Sequence, residues 1–497
     1  MIDPSHLVIV TEYVGDTILN FLSLASLGAL ESTHAKGREF VRRRGPFAAL
    51  YAQLGGGEEA AVVQRRSPPD FWRRRLRLRV VARDTTTVKL AAAPSKFPRS
   101  LPLGLGGAAV ARFDDGAIYC MGGATRGFDL ESRAWLWTRD DGWREQASRP
   151  SARWQHSLVL ASGALWLYGG EVDAPRAGWA VEPNVYAIHR TTDGTTCRVV
   201  PAPDAPPASS GHSCIVDARN GRIVFFGGRV AEFECTAALR AFDYVLERWI
   251  VLDAGGSPPS PRWCHSVVVL GCGDGVVFGG WDVSTTEFLN DVHVLEGVVE
   301  NHSLRWSKLV DAVGPTPRCQ APCFYVPADD DDPGWMLVFG GACYERNRAG
   351  YGLRVRDLCD AWIFDLATRS WDSLKCDDSL LALRGGCNAA LCCDDARLLC
   401  GGIHNNDHDT LPFFIDQVVQ LVVCDPRLRA VLPALGPAPL VSPGSSRADP
   451  PRHPPTNNDR NLAPRRRVAS TPATTARTTP FHSRRIFVPN AATDVFL

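Results

Sequence analysis

Six glycine doublets, each closing a short apolar run, constrain this 497-residue chain more than any other feature. They stand at Gly122-Gly123, Gly169-Gly170, Gly227-Gly228, Gly279-Gly280, Gly340-Gly341 and Gly401-Gly402, at intervals of 47, 58, 52, 61 and 61 residues. The runs leading into them resemble one another. Ala-Ile-Tyr-Cys-Met, Ala-Leu-Trp-Leu-Tyr and Arg-Ile-Val-Phe-Phe precede the first three; Asp-Gly-Val-Val-Phe, Trp-Met-Leu-Val-Phe and Arg-Leu-Leu-Cys precede the last three. Accidental doublets among 44 glycines would not carry a repeating flank. A unit of about fifty residues with glycines at a fixed place predicts one antiparallel blade per unit, hence a β-propeller. Glycine suits that place because the chain turns sharply beside a neighbouring backbone, where a Cβ would clash.

The rest of each unit supplies the other strands. An earlier strand opens with a shared phrase, Arg153-Trp154-Gln155-His156-Ser157, Ser210-Gly211-His212-Ser213 or Arg262-Trp263-Cys264-His265-Ser266. After the doublet and a loop of variable length come Asn184-Val185-Tyr186-Ala187-Ile188, Asn290-Asp291-Val292-His293-Val294 and Asp360-Ala361-Trp362-Ile363-Phe364-Asp365. A tryptophan follows on a fourth strand at Trp143, Trp249, Trp306 and Trp371. Doublet, following aromatic and late tryptophan together resemble the kelch repeat. The resemblance covers residues 101–435, and its sixth unit departs by lacking the late tryptophan. It implies an all-β fold, a six-bladed kelch-type β-propeller. Thr87-Val88-Lys89-Leu90 resembles Ser307-Lys308-Leu309 of a fourth strand and is a candidate partner for the last blade, whose pairing would close the ring.

Composition sets limits around this core. Lys+Arg and Asp+Glu are equal at 54 each, so no global field favours nucleic acid or a membrane surface. No apolar stretch has the length of a membrane span, and the start lacks a secretory leader. The expected location is cytosolic or nuclear. The sixteen cysteines lie mostly inside strand patterns (Cys120, Cys214, Cys264, Cys400, Cys424) and read as buried, reduced thiols. Residues 436–497 carry nine arginines against Asp449, Asp459 and Asp494, are rich in Pro, Ser, Thr and Ala, and read as a disordered basic tail.

Ahead of the repeats, Tyr13 to Leu30 places apolar residues at helical spacing, with Ser26 as the expected cap of a second helix. The run Ile18-Leu19-Asn20-Phe21-Leu22-Ser23-Leu24-Ala25-Ser26-Leu27 resembles an F-box, which implies that Ile18, Leu19, Leu22, Leu24, Leu27 and Leu30 contact the adaptor of a cullin-type ubiquitin ligase. Val10-Thr11 stands where the module usually opens with Leu-Pro. Phe71-Trp72-Arg73-Arg74-Arg75 is a candidate close for this module. The expected division is a small α-helical F-box-like module in 1–55, a basic linker in 56–100, the propeller in 101–435 and the tail in 436–497.

Catalysis is disfavoured. His156, His212 and His265 recur at matching positions, which makes them repeat-structural residues bonded to a neighbouring loop. His404 and His408 have i,i+4 spacing but stand in a loop, and Cys319 with Cys323 lacks a companion pair. No nucleophile elbow or phosphate-binding loop occurs. Asp329-Asp330-Asp331-Asp332 lacks calcium-loop spacing and reads as a solvated hairpin tip. No catalytic residue, metal or cofactor is expected.

Recognition remains. In an up-and-down blade, the connections from strand two to three and from strand four to the next strand one share a face. That face is expected to gather Arg153, Trp154, Arg229, Arg262, Trp263, Trp281, Arg318, Arg346, Arg348 and Arg384, with Glu171, Asp173, Glu232, Glu234, Asp282 and Glu345 on its rim. Arginine and tryptophan dominate binding hot spots, and convergent arginines favour an acidic or phosphorylated partner segment. The alternative is that the arginine and aromatic opening each first strand are structural. Two functions follow from the resemblances: a substrate receptor of a cullin-type (SCF) ubiquitin ligase, with the target protein on the propeller, or a kelch scaffold with no ligase role.

Overall fold

The computed structural model describes residues 74–75, 78, 88–125, 129–173, 180–201, 204–299, 303–310, 314–328, 332–346, 353–376, 389–393, 396–404, 413–414 and 416–423. The helical module expected in 1–55, including Ile18, Leu19, Leu22, Leu24, Leu27 and Leu30, and the tail expected in 436–497 lie outside the described residues.

Six four-stranded antiparallel sheets form the blades. Blade one runs outward through Ala109–Arg112, Ile118–Met121, Ala134–Thr138 and Gly142–Gln146. Blade two is Ser157–Ala161, Ala164–Tyr168, Val185–Thr191 and Gly194–Val200; blade three is Ser213–Asp217, Arg222–Phe226, Leu239–Asp243 and Arg248–Val251. Blade four, Ser266–Val269, Gly275–Asp282, Glu287–Glu296 and Arg305–Val310, gains a parallel edge from Gly255–Gly256. Blade five is Cys323–Val326, Trp335–Phe339, Ala361–Asp365 and Ser370–Leu374. Successive inner strands touch in order, and that of blade six, Ala389–Cys393, returns to that of blade one. The ring is closed.

Each sheet packs a neighbour on both sides, so second strands are largely apolar runs instead of alternating. Ile118–Met121, Ala164–Tyr168 and Trp335–Phe339 are buried at every position. Six apolar clusters fill the six wedges between blades. One joins Val224 and Phe226 to Val277 and Trp306; another joins Ile118 and Cys120 to Leu398 and Cys400. The late tryptophans Trp143, Trp249, Trp306 and Trp371 all lie on outer strands. Cys120, Cys197, Cys214, Cys235, Cys272 and Cys323 are free thiols.

Blade six is a composite. Its strands Ala389–Cys393, Ala396–Cys400 and Val418–Val423 come from the end of the repeats. Its outer strand, Val88–Ala92, comes from before them and pairs antiparallel from Val88 with Val423 to Ala92 with Val419. The closing strand therefore lies where its sequence placed it.

Further upstream, Arg74 and Arg75 are helical and sit against blade five. Arg75 is fully buried and donates to Asp332 (2.8 and 2.9 Å) and to Asp365 (2.9 Å), with its guanidinium 5.3 Å from the Trp335 ring centroid. Asp332, read as part of a solvated tip, is 8% exposed for this reason. Burial alone would raise its carboxyl, but bonds from Arg75 and Gly334 hold it below the usual carboxylate range. Leu78 is buried among Phe324, Trp335 and Leu337 of blade five and Leu399 and Leu421 of blade six. A leucine so placed contributes about 1.5–3 kcal/mol.

Candidate functional site: the doublet face

All twelve doublet glycines have positive φ, from 57° to 125°. A Cβ on Gly122 would sit 2.4 Å from the Arg153 carbonyl oxygen, and one on Gly169 would sit 2.2 Å from that of Ser209. The doublet of one blade is thus pressed onto the opening phrase of the next. Hydrogen bonds fix the contact: the amides of Gly123, Gly228 and Gly280 donate to the carbonyls of Arg153, Arg262 and Arg318 at 2.8 Å.

A second circuit of backbone bonds runs nearer the axis. Gln155 donates to Gly107, Gly211 to Gln155, Cys264 to Gly211 and Gln320 to Cys264, at 2.7–3.0 Å. These five residues have φ between 51° and 67°, although three are not glycine. Their turn aims each carbonyl at the next blade. They border an axial cavity of about 240 Å³ together with Ala108, Ser266, Cys323 and the repeat histidines His156, His212 and His265.

The opening arginines do not reach solvent. Arg153, Arg262 and Arg318 are 0% exposed. Each donates through Nη1 to the first doublet carbonyl of its own blade: Gly169 (3.1 Å), Gly279 (3.0 Å) and Gly340 (2.8 Å). Arg262 also forks onto Asp291 (2.7 and 3.0 Å), and Arg318 onto Asp360 (2.6 and 2.8 Å). Burial alone would raise the Asp291 carboxyl, but bonds from His293 and Arg262 hold it well below the usual range. Arg153 has Glu182 at 3.8 Å and lies over the Tyr186 ring, 4.7 Å from its centroid. The expectation that these three line a partner-binding face is corrected: each is buried and ties its own blade's doublet to its third strand or the residue that opens it.

The histidines bond blade to blade. His212 donates from Nδ1 to the Ser209 carbonyl (3.0 Å), so its Nε2 accepts from Ser157 Oγ (2.9 Å); His265 Nε2 meets Ser213 Oγ at 2.8 Å. The equivalent of those serines before His156 is Ala109, and neither His156 nitrogen has a partner among the described residues. Burial pushes His212 down to about 3 and lowers His156 and His265 well below the ordinary imidazole range. Among the described residues no cluster of His, Cys, Asp or Glu fits a metal ion.

What does come together is a row across blades two to four. Trp154 Nε1 donates to Glu171 (3.0 Å), Ser210 Oγ donates to its other oxygen (2.8 Å), and Arg229 reaches the same carboxylate at 2.9 Å. The Arg229 guanidinium lies 4.6 Å from the Trp263 centroid; Trp263 packs on Trp281 at 5.8 Å, and Trp281 stacks on Phe288 at 5.4 Å and 5°. Four expected face residues, Trp154, Arg229, Trp263 and Trp281, thus form one floor. Past it project two-stranded hairpins, Arg229–Ala231 with Glu234–Cys235 among them. Their exposed members include Asp173, Glu232, Glu234 and Glu287, with Phe233 66% exposed at a tip. Asp282 is buried and accepts from Ser284. Arg346 ends a strand of the blade-five hairpin that also carries Glu345, while Arg348 and Arg384 lie outside the described residues.

The KLHDC2/KLHL20/DRC7 Kelch-repeats domain matches residues 155–402. This chain carries a Kelch-repeat domain. It is 24% identical to Kelch domain-containing protein 1 of Mus musculus, over 53% of this chain and 63% of that protein. It is 26% identical to Acyl-CoA-binding domain-containing protein 4 of Arabidopsis thaliana, over 45% of this chain and 31% of that protein. The chain thus spans about a third of the Arabidopsis relative and under two thirds of the mouse one. The solved structure of YjhT aligns with a TM-score of 0.51 at 17% identity, covering 66% of this chain and 99% of that one; the likeness is one of fold. In the Kelch-repeat domain described here, the repeat residues are framework and the hairpins beyond the floor are individual.

Proposed function

We propose that the Kelch-repeat domain is a protein-interaction scaffold whose binding surface is the doublet face over blades two to four. The observation that carries this reading is the row from Trp154 through Glu171, Arg229 and Trp263 to Trp281, a rigid floor beneath exposed hairpins. Rigid aromatic floors with projecting polar tips suit recognition because little conformational entropy is lost on binding. Framework contacts occupy the arginines, and on the described hairpins of these three blades the exposed charge is acidic. A basic segment with an apolar side chain to meet Phe233 is therefore the expected partner, in place of the acidic one favoured by sequence. The test is cross-linking capture from the native cell with the full chain and with Glu232→Lys, Phe233→Ser and Glu234→Lys combined. Loss of the captured protein at unchanged thermal stability supports the surface; undiminished capture sinks it.

A finer reading, that the chain presents its target as a receptor of a cullin-type ubiquitin ligase, is supported by the apolar spacing of Ile18, Leu19, Leu22, Leu24, Leu27 and Leu30. Co-purification of adaptor and cullin with the wild type, and their loss on charging Leu22 and Leu27, is its separate test.

A further inference from the structure

We propose that Arg75 is a clasp on the closing seam of the ring, so that the segment ahead of the propeller acts as part of the seam and not as a linker. The inference holds whichever partner the doublet face takes.

Blade six is the one composite blade among those described. It holds Val88–Ala92 by strand pairing at the outer edge. The residues just upstream add a second hold, on a different blade. Asp332 precedes the second strand of blade five and Asp365 ends its third, so both lie at the end of the blade away from the doublet. Arg75 bonds both carboxylates at once. Three residues later Leu78 fills the wedge between blades five and six, against Leu399 and Leu421. Ten residues after that, the chain becomes the outer strand of blade six. Arg75, Leu78 and Val88–Ala92 therefore stand respectively on the last contiguous blade, in the wedge beside it and on the blade that closes the ring.

The chemistry suits a clasp. Arg74, only partly buried, approaches Asp332 to 3.5 Å, so a second guanidinium group stands beside the two buried carboxylates. A planar fork meeting two acceptors from separate turns demands one geometry, which a point charge on a flexible stem would not. Removing one partner from such a buried set leaves the others uncompensated, which is far more damaging than losing a surface pair. Strain applied to the chain ahead of Arg74 is delivered to the seam before it reaches any other blade.

Hydrogen exchange on the full chain tests this, comparing the wild type with Arg75→Met and Arg75→Lys. In Arg75→Met, protection of Val88–Ala92 and Val418–Val423 should fall by on the order of a hundredfold or more. Val185–Thr191 and Gly275–Asp282, across the ring, should keep theirs. Arg75→Lys keeps a charge but loses the fork and should show a smaller loss in the same two strands. Equal loosening of every blade, or a seam unchanged in both variants, overturns the proposal. If Arg75→Met does not fold, Arg75→Lys decides alone: loss confined to the seam supports the clasp, and uniform or absent loss refutes it.

Discussion

Arg318 and Asp360 meet in a two-pronged ion pair, 2.6 and 2.8 Å, between the opening phrase and the third strand of one blade. Arg262 and Asp291 repeat it one blade earlier. In blade three the arginine position is Ser209 and the aspartate position is Ala238, so the two partners disappear together. The complete burial of Arg262 and Arg318 marks the pair as framework.

Arg318→Ala is expected to destabilise the domain by about 3 kcal/mol, the low end for a broken buried pair, because the Asp360 side chain is 39% exposed and water takes up part of its charge. Denaturant unfolding of both single variants and the double variant measures it. A double variant as damaged as the two singles summed would show that the residues do not act as a pair.

Ala109→Ser should stabilise the domain by roughly 0.5–1.5 kcal/mol by giving His156 the hydroxyl that Ser157 gives His212. A shift in the denaturation midpoint at unchanged slope is the readout. The same substitution in a His156→Phe background should give no gain.

Gly169 and Gly142 have nearly the same backbone, φ 68° and 70°, but different surroundings. An added Cβ on Gly142 meets nothing within 4 Å, whereas one on Gly169 meets the Ser209 carbonyl. Gly142→Ala should cost about 1 kcal/mol for the left-handed backbone alone. Gly169→Ala should cost several times more, seen as a much larger drop in melting temperature. Equal losses would show that strain, and not inter-blade contact, fixes the doublet.

Stability should fall with acid well above the carboxylate range. His212 is neutral in the folded protein, held near 3, and takes a proton near 6.5 when unfolded. The unfolded chain binds more protons between those values, so the stability is fully present above about pH 6.5 and is lost as pH falls toward 3. The slope is about 1.4 kcal/mol per pH unit for one histidine in mid-range, and His156 and His265 shift in the same direction. His212→Gln should flatten the dependence between pH 6 and pH 4. An unaltered slope would assign the acid sensitivity to other groups.

The blades were legible because their signals are local and repeated: a doublet, an apolar run before it and a tryptophan on the outer strand. Even the closing strand was legible, since Val88-Lys89-Leu90 resembles a fourth strand elsewhere. The roles of the arginines were not, because type and spacing say nothing of exposure. Asp291 lies 29 residues beyond Arg262, and only a comparison of repeats lacking both partners would have linked them. Arg75 was harder still. Its acceptors lie 257 and 290 residues away, beyond the reach of any local pattern.

The split origin of blade six has a consequence for the chain as it leaves the ribosome. Val88 and its partner Val423 are 335 residues apart. At roughly 5–20 residues per second, translation leaves the first strand without its mate for tens of seconds. Blades one to five can form in turn during that interval, but none can be sealed, and the apolar flank of blade one waits for Leu398 and Cys400. Nascent chains of this protein should therefore be held by chaperones until its last repeat emerges, and a stop codon anywhere before Val418 should produce an aggregating product with no smaller closed ring.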